Sequence, residues 1–394
     1  MTFAQRMRAG SGASNSGSIH TLPVNHSAVP SCPAGSPRDN AGTAEAVADA
    51  DADAWLSSRF ISMLIQALAM NRLSIRNILV PTDFSKMSIR VIEPANRLAG
   101  RFAGSIHLVH VRRPAYPIGF VAAASPFSVT SYEQQAKERV AGELNALAYK
   151  CGVPAARCYV LCGTAPFNEI CGLARKIRAD LIVMPTHGRT GLEHMFLGST
   201  AERTVRHSPC PVFIMRLGNG LFEKKASYKK ILAPVDFSDC SREGLRYAMK
   251  FADCFGAKVI VLHVISLPYP YITDVALTDD VRKDAARQMQ RFLETMEFRG
   301  LKVQTAITGG RPITEICSFA ANKEVDLIIT STHGLSDLKQ VSTGSVAEKV
   351  VRHAFCPVLV VPSHPKIRVA KLSKRDKRKP SGHVEARRLW RRRR

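Results

Sequence analysis

The sequence predicts an α/β protein in which one domain occurs twice. Each copy is a doubly wound five-stranded parallel sheet, and extensions at both ends do not share that pattern. Three observations carry this expectation. Blocks of sequence recur in a fixed order; short apolar runs alternate with stretches at helical spacing inside each copy; and both ends of the chain lack such periodicity. The length, 394 residues, suits two or three ordinary domains and excludes a single small module.

The repeat is the firmest of the three. NILVPTDFS at 77–85 returns as KILAPVDFS at 230–238, and HLVHV at 107–111 returns as IVLHV at 260–264, both at an offset of 153. PFNEIC at 166–171 matches PITEIC at 312–317, DLIVMPTHG at 180–188 matches DLIITSTHG at 326–334, and GSTAERTVRHSPCPVFIM at 198–215 matches GSVAEKVVRHAFCPVLVV at 344–361, all at offset 146. This divides the chain into an extension over 1–73, a first domain over 74–216, a linker over 217–227, a second domain over 228–362 and a tail over 363–394.

In the first copy the runs 78–80, 106–111, 156–161, 181–184 and 212–215 are apolar and bounded by turn residues, and are expected as strands. Segments 88–102, 132–151, 168–178 and 199–207 between them have helical spacing. Continuous apolar strands joined by helices imply a parallel sheet covered on both faces. Such sheets bind ligands beyond the carboxyl ends of their strands, where strand order reverses. The repeated polar motifs fall at those ends.

Composition places the chain among ordinary globular proteins, with 45% hydrophobic and 22% charged residues. The outlying figure is a net charge of +24. Fourteen Lys/Arg against two acids in 366–394 carry half of it, so the repeats themselves are only moderately basic. This tail is too charged to fold alone and could touch nucleic acid or an anionic surface through unspecific charge, with Trp390 available to stack; a solubilising extension is the plain alternative. Residues 1–56 are rich in Ser, Gly, Ala, Pro and Asp and are expected to be disordered, while 57–72 could form one short amphipathic helix. Met63 and Met70 are alternatives to Met1 as the natural start.

Ten cysteines without a C-x-x-C pair or a repeated Cys/His spacing argue against a disulfide framework or a metal site and fit a reducing cytoplasm. No run reaches the roughly 18 apolar residues of a membrane span. A P-loop, a G-x-S-x-G elbow and a convincing acid/base pair are all missing from the sequence, so no vigorous catalytic mechanism is supported.

Asp83 and Asp236 directly follow the first strand of each copy. A carboxylate there can cap the next helix or accept hydrogen bonds from a ligand, and capping is the default. Further on, a strand runs into T-H-G, then nine residues, then Gly-Ser opening a helix. Glycine permits close backbone approach, and Ser199 or Ser345 with the unpaired amides of the helix start makes an anion site. His187 and His333 in the T-H-G turn could touch a ligand or bond to local backbone. Arg206-His207 and Arg352-His353 fit a surface role at a helix C-terminus. Cys210 and Cys356 suit core packing.

Together, ILVPTDFS, LVHV, DLIVMPTHG with GST nine residues on, and the closing CPVFI resemble the universal stress protein family in tandem form. The resemblance implies a Rossmann-like fold of the adenine nucleotide alpha hydrolase type, ATP as ligand, with Mg2+ as its companion, and pairing of the last strands into an intramolecular pseudo-dimer, with a homodimer as a further option. Carried over, the family's Asp after the first strand, its backbone contact after the second and its pattern Gly-x-x-Gly-x9-Gly-Ser/Thr suggest Asp83, Val111, His187, Gly188, Arg189, Gly198, Ser199 and Thr200 in the first copy. In the second it suggests Asp236, Val264, His333, Gly334, Gly344, Ser345 and Val346. The first Gly of the pattern is replaced by Pro185 and Ser331, so the first copy lacks a backbone donor there. Arg189-Thr190-Gly191 suits a polyphosphate, whereas Leu335-Ser336-Asp337 sets a carboxylate near the expected anion, which inclines the reading to the first copy. The expectation is therefore a cytoplasmic, nucleotide-binding stress-response regulator with at most slow ATP hydrolysis. A nucleotide-free partner-binding scaffold and a nucleotide-hydrolysing enzyme are the alternatives.

Overall fold

The computed structural model describes residues 19–20, 73–114, 126–187, 197–216, 227–266, 279–298, 300–332 and 345–363. The helix expected within 57–72 and the basic tail lie outside them. In the first repeat β2 (Asn77–Pro81), β3 (Ser105–Arg112), β4 (Arg157–Cys162), β5 (Leu181–Pro185) and β6 (Val212–Met215) alternate with helices. The helices are α1 (Lys86–Arg90), α2 (Ile92–Phe102), α3 (Pro126–Lys150), α4 (Pro166–Lys176) and α5 (Ser199–His207). The second repeat supplies β7 (Lys230–Val235), β8 (Lys258–Ser266), β9 (Val303–Gly310), β10 (Leu327–Ser331) and β11 (Val358–Val361). Its helices are α6 (Asp239–Phe255), α7 (Asp279–Glu294), α8 (Pro312–Asn322) and α9 (Ser345–His353). A short strand β1 (Ile19–His20) pairs antiparallel with β9.

All strands join one sheet in the order β1-β9-β8-β7-β10-β11-β6-β5-β2-β3-β4. Within each repeat every pairing is parallel, and strand order reverses between β2 and β5 and between β7 and β10. That is the doubly wound topology expected from the alternating pattern. The repeats meet where β6 and β11 run antiparallel, with Val212, Phe213 and Ile214 opposite Val360, Leu359 and Val358. The offset of 146 makes Phe213 and Leu359 equivalent, so this pair lies on a pseudo-twofold axis.

Both faces of the junction are closed. On one, Phe102 of α2 meets Phe255 of α6 edge-on at 6.0 Å, and Phe251, Phe255 and Tyr228 pack ring against ring. Arg101 lies over the Phe255 ring and donates from Nε to the Cys254 carbonyl at 2.8 Å. On the other face, Glu202 and Arg206 of α5 confront Glu348 and Arg352 of α9. Each arginine binds the glutamate four residues before it and also reaches across: Arg206 to Glu348 at 3.3 Å and Arg352 to Glu202 at 3.8 Å. Arg206 and Arg352 thus stand in the last turns of α5 and α9, as expected, but direct their guanidinium groups at glutamates. Arg216 does the carbonyl capping at α9 instead, donating to Arg352 and Ala354. Sequence could not pair helices from different repeats.

One expected helix, 88–102, is two. Pro94 has no amide to donate to the Arg90 carbonyl, and its ring crowds that turn, so α1 ends at Arg90 and α2 restarts at Ile92. The equivalent residue in the second repeat is Tyr247, and α6 runs unbroken.

The ion quartet is half-buried, so losing one member strands its partners. Arg206→Met is expected to lower stability by about 1–3 kcal/mol in urea unfolding followed by circular dichroism. A double-mutant cycle with Glu348→Gln should return a coupling of about 0.5–1 kcal/mol that shrinks near 1 M salt.

Candidate functional site

The β2 strand stays bridged to β3 one residue past its end, through the Thr82 amide and the Val109 carbonyl at 2.8 Å, and then turns sharply. Phe84 takes a left-handed φ of 61°, and Phe237 does the same at 67° in the second repeat. A bulky residue pays a steric penalty there of about 1–3 kcal/mol, so surrounding contacts must fix it. They do. Asp83 Oδ1 accepts from the Ser85 amide at 3.0 Å, the Phe84 amide donates to Thr82 Oγ1 at 3.1 Å, and the Asp83 amide donates to Ser88 Oγ at 3.3 Å. In the second repeat Asp236 Oδ1 accepts from both the amide and the hydroxyl of Ser238, at 3.1 and 2.6 Å.

These contacts correct the capping assignment. The N-caps are Ser85 and Ser238, which accept from the Ser88 and Ser241 amides, while the aspartates brace the capping serines from two residues upstream. Each carboxylate is thereby held half-buried at the carboxyl end of its strand.

Beside each turn stands a histidine that sequence reading passed over. His110 Nδ1 meets the Thr82 carbonyl at 2.8 Å and its ring lies 4.7 Å from that of Phe84; His263 Nδ1 meets the Val235 carbonyl at 2.9 Å and stacks on Phe237 at 4.1 Å. A carbonyl only accepts, so Nδ1 carries the proton in both rings. Burial holds the His263 pKa below its ordinary 6.5, against the opposing pull of the Val235 carbonyl and Asp236. The signal was present in the sequence: the DFS phenylalanine and the histidine of LVHV recur together at the same offset.

At the far side of the strand-order reversal, β5 ends at Pro185 opposite Met215. The Thr186 amide donates to the Met215 carbonyl at 3.2 Å, so the missing Pro185 amide does not loosen the strand end. The Gly198 amide donates to the Thr186 carbonyl at 2.8 Å, and a Cβ on Gly198 would sit 3.3 Å from that oxygen. A side chain there would crowd that oxygen by a few tenths of an ångström, which glycine avoids. Gly198 is the N-cap of α5 with no side-chain cap, so the amides of Ser199 and Thr200 that follow point out of the helix start. His187 Nδ1 lies 2.9 Å from Thr186 Oγ1.

These pieces enclose one cavity of about 600 Å³. Thr82, Asp83 and Ser88 form one wall, Val109 to Arg113 another, Met184 to His187 the floor, and Gly198 to Ala201 the end, with Pro166 and Ile170 of α4 closing it. Six of the eight residues suggested for the first copy, Asp83, Val111, His187, Gly198, Ser199 and Thr200, therefore line one space. Gly188 and Arg189 lie outside the described residues. Arg112 and Arg113, which also line it, were missed, although two cations directly after the second strand were visible. Arg112 is held by an ion pair with Glu133.

In the second repeat Asp236 and Val264 occupy the matching strand ends, Ser345 opens α9 and half-buried Val346 packs against the core below it. His333, Gly334 and Gly344 lie outside the described residues. Four thiols in or against the core on one face of the sheet are held protonated: burial pushes Cys171 and Cys317 up to about 11, and Cys210 and Cys356 up to about 12. Among the described residues no cluster of three or more metal-ligating side chains occurs.

Two doubly wound units joined by their last strands, the first with a polar-ended cavity at its reversal of strand order, define a tandem α/β protein. The Universal stress protein family model matches residues 74–216 and 227–362, and the chain belongs to that family. A universal stress protein of Methanocaldococcus jannaschii is 34% identical over 140 residues, 34% of this chain and 82% of its own. A second from the same organism is 33% identical over 153 residues, 34% of this chain and 94% of its own. Among solved structures, a putative universal stress protein from Pseudomonas aeruginosa has a TM-score of 0.50 at 18% identity, covering 73% of this chain and 93% of that one, which supports the fold.

Because the folded-state pKa of His263 is depressed, the unfolded chain binds its proton first as pH falls. Stability is then complete above about pH 6.5 and declines below it. Urea midpoints at a series of pH values should follow this course, and His263→Asn, which keeps a donor near the Val235 carbonyl, should flatten the decline.

Proposed function

We propose that the first repeat binds an adenine nucleotide, ATP in the leading case, and that the protein is a stress-response regulator working through the liganded shape rather than through turnover. The observation that carries this reading is the single cavity gathering Asp83, the β3 end and the α5 N-terminus. Its volume, about 600 Å³, lies within the usual range for small-molecule sites. The residues present fit such a ligand. Asp83 can accept from an amino or hydroxyl group, Val111 and Ile170 offer an apolar wall for a base, and the Ser199 and Thr200 amides with the positive end of α5 suit phosphate. Mg2+ would arrive on the phosphates. On this reading hydrolysis is slow at most.

The wider reading keeps residues 1–73, 217–227 and 363–394 as extension, linker and tail around two domains at 74–216 and 228–362. It sets the protein in the cytoplasm, in keeping with its cysteine usage, as an intramolecular pseudo-dimer able to self-associate. The 366–394 tail adds unspecific contact with nucleic acid or an anionic surface. One observation favours a second reading, a partner-binding scaffold without nucleotide. Pro185 has no amide, and the Gly198 amide is already taken by Thr186, so two donors that could meet an anion are not on offer.

Calorimetry with ATP, ADP, AMP and cAMP, joined to acid extraction of the purified protein, separates the readings. ATP is expected to bind, Asp83→Ala to weaken it about tenfold to a hundredfold through loss of a charged hydrogen bond, and Asp236→Ala to leave that site unchanged. Absence of heat with all four at millimolar concentration, together with an extract free of adenine nucleotide, would replace this reading with the scaffold. Sustained phosphate release would favour the hydrolase.

A further inference from the structure

Four lysines crowd the amino ends of the second repeat's strands. Lys230 opens β7, Lys258 opens β8, Lys302 immediately precedes β9 and Lys323 follows α8. Lys230 stands directly across the ladder from Lys258, and the Val259 amide donates to the Lys302 carbonyl at 2.9 Å. Lys230 Nζ reaches the Lys323 carbonyl at 3.0 Å. With neighbouring strands about 4.8 Å apart, the three strand-borne lysines root a row about 10 Å long. Lys230, Lys302 and Lys323 are exposed and Lys258 is half-exposed.

Among the described residues none of the four makes an ion pair. The carboxylate of Asp326, beneath them, accepts from the Lys229 and Lys230 amides at 2.7 and 2.9 Å. Burial, and then the charges of Lys230, Lys323 and Lys302, hold the Lys258 pKa below its ordinary value. Helix C-termini nearby favour a cation each, which offsets part of the repulsion but does not call for four in a row. The fold does not require them either, because Asn77, Ser105, Ala155 and Ile177 stand at the matching positions of the first repeat.

We propose that this row is a docking surface for the phosphodiester backbone of nucleic acid, recognised by charge and not by sequence. A line of separate ammonium groups on an open strand edge matches a linear polyanion, whereas one small anion could meet only one or two of them. Lysine heads are point charges without the fork that reads base edges. A membrane surface fits less well, since interfacial attachment needs apolar side chains to insert. The large exposed apolar residues among those described, Tyr149, Val281 and Phe355, are not part of the row. Because β6 and β11 are antiparallel, the row lies on the same edge of the continuous sheet as the carboxyl ends of β2, β3 and β5. The proposal requires neither the 366–394 tail nor nucleotide binding in the first repeat.

The test uses the full chain and a fluorescent 20-nucleotide single-stranded DNA, with anisotropy titrations across about 50–200 mM salt. Each neutralised phosphate adds about 0.7 to the slope of log affinity against log salt. Changing Lys230, Lys258, Lys302 and Lys323 together to Gln should lower that slope by about 2–3. Changing the exposed Lys137, Lys150, Lys176 and Lys283 to Gln should lower it by less than one contact. Should the first variant fold poorly by circular dichroism, the triple change that spares Lys258 should still lower the slope by about 2. Equal slopes for the row variant and its control overturn the proposal, since the tail is intact in both. So does a row variant that loses anionic-vesicle binding while keeping its DNA slope.

Discussion

The antiparallel pairing of β6 with β11 is the constraint on which the rest of the molecule depends. Each repeat ends in a four-residue strand that is wholly buried, VFIM in one and VLVV in the other. Alone, either would leave an apolar strand edge with unmet amides and carbonyls, the kind of edge that invites aggregation. Pairing the two removes both edges at once. The register centred on Phe213 and Leu359 then fixes a pseudo-twofold axis, and equivalent residues must meet across it. Phe102 finds Phe255, and the Glu202/Arg206 pair finds Glu348/Arg352. Because the strands run in opposite directions, the carboxyl ends of the two repeats' strands face opposite edges of the sheet.

A second constraint is local and repeated. The chain must leave β2 and β7, present a carboxylate and enter a helix within four residues. It does so through a left-handed phenylalanine whose conformational cost is offset by a serine cap, a bracing aspartate and an imidazole against the ring. The carboxylate is thus positioned by groups that are themselves fixed, which is what a binding site needs if ordering is not to oppose the ligand.

On this shared frame the repeats have diverged in charge and in detail. The first repeat breaks a helix at Pro94 and ends β5 in Pro185. The second keeps a continuous α6, whose Gly244 lies so near Ser331 that an added Cβ would stand 3.2 Å from its amide nitrogen. The second also gathers lysines at strand starts, where the first has Arg76 and Arg157 beside the neutral Asn77, Ser105 and Ala155. Divergence at positions that the fold leaves open is where separate roles for the two copies would arise.

Repeat spacing and apolar periodicity determined the two doubly wound units, the strand centres and the positions of Asp83, Gly198 and Ser199. Those signals are local: they depend on burial of a strand or on backbone freedom at one residue. The sequence could not decide that Ser85 rather than Asp83 is the cap, because both residue types suit that position and only the φ of Phe84 separates them. It gave no means of joining Arg206 to Glu348 or of lining up Lys302, Lys258 and Lys230. Each of these joins residues distant in the chain, and strand register and helix packing, set by the whole sheet, decide which side chains come within reach.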